Sequence, residues 1–130
     1  MNQSSTTLDP ATLTKAVVRA AERLELIGAL PQILGISAQV VDEWRAGRAH
    51  LDPTHAEWQT AIHFTGLFRA LLSLVGSIEN ARTWLTTPHQ TLASAPATLL
   101  QTPEGMELVL RYLGNVQKYE IKLPPRGRLQ

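Results

Sequence analysis

Apolar residues recur at helical spacing along most of the chain, and no segment alternates apolar and polar residues at the period of a strand. Leu13, Val17, Ala20, Leu24 and Ile27 follow one another at steps of 4, 3, 4 and 3, which is one stripe on one helix. Asp9-Pro10 precedes that stripe as a cap and a first-position proline. A second helix is expected over residues 28–34, starting at Gly28 or Ala29 because Pro31 is tolerable only in a first turn. Gly35 supplies the positive φ of a helix end, and Ser37 caps a third helix whose Val40, Val41 and Trp44 face inward until Gly47. Asp52-Pro53 repeats the start signal, so a long helix is expected over 53–75, with an apolar face broader than a surface helix needs. Ser77 caps a helix that Pro88 ends, with Ile78, Ala81, Trp84 and Leu85 inward. A short helix within "TLASAPATLLQT" and a last one opened by Thr102-Pro103-Glu104 complete the chain, the latter striped by Met106, Val109, Leu110, Leu113 and Val116. The closing "KLPPRGRLQ" reads as an extended tail. The expected fold class is therefore all-α.

A chain of 130 residues suits one compact domain or two small helical units sharing a core, and the natural seam is Gly76-Ser77. This divides the chain into an N-terminal unit over 1–76, a C-terminal unit over 77–122 and a basic tail over 123–130. No apolar run approaches the ~20 residues of a membrane span, and "MNQSSTTLDP" lacks the build of a secretion signal. With no cysteine, disulfide and thiolate chemistry are excluded, and a cytoplasmic location is expected. The net charge of +1 is unevenly placed. Lys118, Lys122, Arg126 and Arg128 against Glu120 make the end of the chain +3 and leave the rest at −2. That is not the strongly basic face of a protein held to DNA by phosphates alone.

Enzyme chemistry finds no foothold. His50, His55, His63 and His89 are scattered, and His55 and His63 lie two helical turns apart, too far for one metal ion. GxSxG, P-loop and dinucleotide-binding patterns do not occur, and Glu57, Glu79, Glu104 and Glu107 read as solvated helix charges. No catalytic residue, metal ligand or cofactor is expected.

The stretch "LPQILGISAQVVDEWRAG" has the sharp turn and buried positions of a helix-turn-helix: Gly35 at the joint, and Leu34, Ile36, Val41 and Trp44 inward. Ala38, Gln39, Asp42, Glu43 and Arg45 face outward, with Arg48 just beyond. Ser37, Gln39, Arg45 and Arg48 are the candidate DNA contacts, Gln39 for adenine and the arginines for phosphate or guanine. Asp42 and Glu43 oppose this by repelling phosphate, and a packed helical corner without a DNA role is the alternative.

The segment "ARTWLTTPHQTLASAPATLLQTPEGMELVLRYL", residues 81–113, resembles the toxin-binding domain of the Xre/MbcA/ParS antitoxin family. The resemblance is carried by Ala81, Trp84-Leu85, Pro88, Leu92, Pro96, Leu99-Leu100, Thr102, Gly105, Val109 and Leu113. An Xre-like helix-turn-helix matches residues 11–48, so the likeness covers about 13–121. It implies an antitoxin of a type II toxin–antitoxin pair that binds a RES-domain, NAD-degrading toxin, covers its active site and represses its own operon. It also implies self-association as a homodimer or larger assembly, with operator DNA as a further partner and no membrane. Most of the motif reads as core, with Trp84 and Leu85 against the long helix and Gly105 allowing close backbone approach. Toxin contacts are expected on the loop 86–95 and beyond Leu113: Pro88, His89, Leu92, Tyr112, Asn115, Tyr119, Ile121, Lys122 and Arg126. Residues 114–123 are expected to cover the toxin's cleft. The chain departs from the pattern at His89, at Pro31 and in its extended C-terminus. Two other readings stand beside it: a stand-alone helix-turn-helix regulator whose C-terminal half only dimerises, and a helical scaffold with neither role.

Overall fold

The computed structural model describes residues 9–90 and 92–122, with side chains described as far as Gly114. Among the described residues the chain is all-α, with seven helices and no strand. In chain order they are α1 (Pro10–Arg23), α2 (Leu30–Leu34), α3 (Ala38–Arg45), α4 (Glu57–Val75), α5 (Ile78–Thr86), α6 (Pro96–Leu99) and α7 (Pro103–Lys122). No single helix is long and apolar enough to cross a membrane.

Local chemistry fixes most of these boundaries. Asp9 accepts the Thr12 N–H at 3.0 Å and so caps α1, with Pro10 inside the first turn. Ser37 accepts from Val40 N–H at 3.2 Å, and Ser77 from Asn80 N–H at 3.1 Å, capping α3 and α5. Gly35 and Gly76 close α2 and α4 at φ 73° and 88°, in the left-handed region that favours glycine. The N–H bonds from Thr12 and Thr54 hold the Asp9 and Asp52 carboxyls below the ordinary carboxylate range. Both arrangements are therefore complete at neutral pH and weaken as pH falls through those lowered values.

Two expected starts are corrected. α2 begins at Leu30, one or two residues after the expected start, because Leu26–Ala29 form a turn in which Ala29 N–H donates to Leu26 C=O at 2.9 Å. Asp52-Pro53 does not open α4. Asp52 accepts from Thr54 N–H (2.9 Å) and Oγ1 (2.7 Å), building a tight turn, and the helix starts only at Glu57.

One apolar cluster runs through the molecule from Leu13 on α1 to Leu113 on α7. α4 is its axis, packed against α1 on one side and α7 on the other, while α5 packs on α4 and α6. Phe64, Leu67 and Leu71 of α4 are fully enclosed. This explains the breadth of the α4 apolar face. The chain's own helices cover it on two sides. A shared core runs across Gly76-Ser77, and Arg82 of α5 ties the seam by donating to the Arg23 carbonyl at 2.7 Å.

Thr14 is a buried polar link in this core. Its hydroxyl donates to the Pro10 carbonyl at 2.6 Å and accepts from Leu51 N–H at 2.8 Å, tying α1 to the segment that leads into α4. Thr14→Val keeps the shape but orphans the Leu51 donor. Urea unfolding should show a loss of about 1–3 kcal/mol, and an unchanged midpoint would refute the link.

Candidate functional site

The helix-turn-helix corner forms as expected. Leu34, Val41 and Trp44 are buried, Ile36 is half-buried, and α2 and α3 pack on each other and on the α1–α4 pair. Ser37, Gln39, Arg45 and Arg48 are all exposed. Ser37 spends its hydroxyl on the α3 cap. Both arginines have carboxylate partners: Arg45 Nε lies 3.1 Å from Glu22 Oε2, and Arg48 Nε 2.9 Å from Glu43 Oε1. The hydrogen bond to Glu43 raises the Arg48 pKa further, so this side chain is cationic and already engaged. With Asp42 added, the face holds three acids against two cations. Such exposed pairs are worth only ~0–1 kcal/mol each, so phosphate can displace them, but the face as it stands does not attract phosphate.

The C-terminal half presents a different surface. Trp84 on α5, His89 on the following loop and Tyr112 on α7 form an aromatic cluster, each half-buried. The Trp84 and His89 ring centroids are 4.8 Å apart, and Tyr112 is 6.2 Å from both, nearly parallel to the indole at 25°. His89 Nε2 lies 3.1 Å from the Trp84 carbonyl. A carbonyl only accepts, so Nε2 carries a proton and the imidazole is held in place. The loop itself is folded back on a single bridge. His89 N–H donates to Ser94 C=O at 3.2 Å, Ala93 N–H donates to His89 C=O at 2.7 Å, and Ala93 sits at φ 62°.

Leu92 anchors this loop from beneath at 6% exposure, so the expectation that it touches a partner is corrected: its side chain is core. Leu85 buries as expected, and Trp84 is half-buried, packed against the core with its ring among the aromatic neighbours. Pro88 is exposed, and His89 and Tyr112, both expected as toxin contacts, stand in the aromatic cluster. One turn before Tyr112 stands Leu108, at 43% the exposed large hydrophobic side chain among the described residues. Sequence reasoning did not single it out, although its (i, i+4) spacing to Tyr112 places both on one face of α7. A shallow concavity of about 360 Å³ adjoins the cluster, lined by Val75, Asn80, Thr83 and Thr87 together with Trp84 and His89. The Asn115, Tyr119, Ile121 and Lys122 side chains and Arg126 lie outside the described residues. The backbone of 115–122 continues α7.

Rigid aromatic side chains beside a small concavity are the kind of surface that carries binding energy between proteins. Among the described residues, no three His, Asp or Glu side chains converge on a metal position.

Residues 70–118 match the family model of the antitoxin Xre/MbcA/ParS C-terminal toxin-binding domain. The match spans the end of α4, all of α5 and α6, and most of α7, and so contains every ring of the cluster. It begins six residues before Gly76, because the last turns of α4 belong to the core of this segment. The C-terminal half is thus supported as a toxin-binding antitoxin domain of a toxin–antitoxin system. No curated protein matches the chain.

Proposed function

We propose that this protein is a cytoplasmic antitoxin that neutralises a RES-type, NAD-degrading toxin by covering its active site. The observation that carries the reading is the position of the Trp84–His89–Tyr112 cluster inside the matched segment, with Leu108 beside it. A toxin face that meets these rings loses little side-chain entropy on its partner's side, since His89 is hydrogen-bonded and the loop is bridged. Covering an active site is enough for inhibition, so no catalytic group is required of the antitoxin. In this reading residues 1–76 serve DNA and residues 77–122 serve the toxin. Residues 114–123 and Arg126 extend the contact along the cleft. The RES identity of the toxin and self-association enter through the resemblance alone.

Co-expression tests it. A small RES-domain protein encoded beside this chain should co-purify with it, and cellular NAD should recover when both are made. If the pair does not associate and NAD stays depleted, the RES reading fails.

Operon autorepression through α3 is the second part of the proposal. Its electrostatics predict weak, complex-dependent binding: Arg45→Ala or Arg48→Ala should lower the salt slope of operator binding by ~1 each. Toxin neutralisation should be unchanged. Equal repression by both variants would remove these arginines from any DNA contact.

A further inference from the structure

Among the described residues, Arg45, Arg48, Arg82 and Arg111 lie beside carboxylates, whereas Lys15, Arg19, Arg23 and Arg69 do not. Three of the four unpartnered cations border one groove. Lys15 and Arg19, four residues apart on α1, face Arg69 of α4 across a cleft of about 390 Å³ that, among the described residues, no acidic side chain lines. Between them lie Phe68, half-buried, and the small side chains Ala16 and Ala20, which let the two helices leave a valley rather than a ridge.

We infer that this α1–α4 groove is a docking site for an acidic, amphipathic segment of a partner protein. Such a segment would lay an apolar side chain against Phe68, with carboxylates reaching Lys15, Arg19 and Arg69. Charge complementarity selects the sign of the occupant: three cations with no counter-charge of their own repel one another and are relieved only by an anion. Shape selects its class. A valley between two packed helices with an apolar floor fits a helix or extended peptide laid along it. Duplex phosphates instead call for a cationic surface that needs no apolar floor. The groove is built from α1 and α4, away from the aromatic cluster on α5, α7 and their loop, so both surfaces can be occupied at once.

The test uses the full chain and a fluorescein-labelled 16-residue helical peptide with leucine at every fourth position flanked by glutamates. Its twin carries glutamine for glutamate. Anisotropy should show the glutamate peptide binding, with added salt weakening it and the glutamine twin about tenfold weaker. R19E/R69E should weaken the glutamate peptide about tenfold and R19Q/R69Q by less, with R45A unchanged and the helical circular dichroism of each variant retained. Equal binding of the two peptides, or no binding to the wild-type chain, would overturn the proposal. It would also be overturned if R19E/R69E instead changed the oligomeric mass in light scattering, making a second copy the occupant. Loss of affinity for random duplex DNA with no peptide binding would transfer the groove to nucleic acid and likewise overturn it.

Discussion

Gly105→Ala will destabilise the protein by about 1–3 kcal/mol, a large effect for one added methyl group. A Cβ at Gly105 would collide with the Leu99 carbonyl oxygen and come within 2.7 Å of its carbonyl carbon and 3.0 Å of its Cα. These are backbone atoms, so no side chain can rotate away. Gly105 is buried in the first turn of α7, its N–H bonded to Thr102 Oγ1 at 3.0 Å, and α6 crosses directly over it. Alanine would gain ~1 kcal/mol of helix propensity. Overpacking that forces backbone apart costs about 1–3 kcal/mol and at times more. The steric term wins because α6 must move away from α7, which loosens Leu100, Met106 and Val109 together. Gly66→Ala on α4 is the control. No atom lies within 4 Å of the point a Cβ would occupy there, so alanine should leave stability equal or slightly raised. Thermal unfolding of the two variants side by side decides it. Equal melting temperatures would contradict the close approach of α6 and α7.

That contact was legible in the sequence. A glycine in the first turn of a helix opened by Thr-Pro-Glu needs a reason, and backbone approach is the usual one. The caps at Asp9, Ser37 and Ser77 and the glycine stops at Gly35 and Gly76 were legible on the same grounds, because each depends only on neighbours a few residues away. What failed to show were features set by distant contacts. Asp52-Pro53 has the form of a helix start, yet Thr54 captures the Asp52 carboxylate first. The Arg45–Glu22 pair joins residues 23 apart in sequence, so the neutralised outer face of α3 could not be read from α3 alone. Leu92 lies on the loop expected to touch a partner, but its side chain is buried in the core beneath the His89–Ser94 bridge. Trp84 packs against the core as its inward spacing indicates, but its ring contacts with His89 and Tyr112 join separate elements and are fixed by tertiary structure.

Toxin binding carries the second large effect. Within the aromatic cluster, Tyr112 stacks on Trp84 and stands one turn from Leu108 on the same face of α7. Truncating a central aromatic anchor at an interface typically costs ~2–4 kcal/mol, or about 30- to 1000-fold in affinity. Tyr112→Ala should therefore act mainly on binding. The ring is half-buried and packs on the edge of the core, outside the buried cluster itself, so some stability goes with it and circular dichroism checks that the variant stays folded. Leu108→Ala, on the rim of the same face, should reduce affinity less, by about tenfold or under. Arg45→Ala should leave it unchanged.

The central claim is that this face binds and silences an NAD-degrading toxin. The most direct test is NAD consumption by the purified toxin, titrated with the wild-type chain and with Tyr112→Ala. The wild-type chain should stop the reaction at a defined stoichiometry. The folded Tyr112→Ala variant should need at least about thirtyfold more protein. Full inhibition by Tyr112→Ala at the wild-type stoichiometry would contradict the claim.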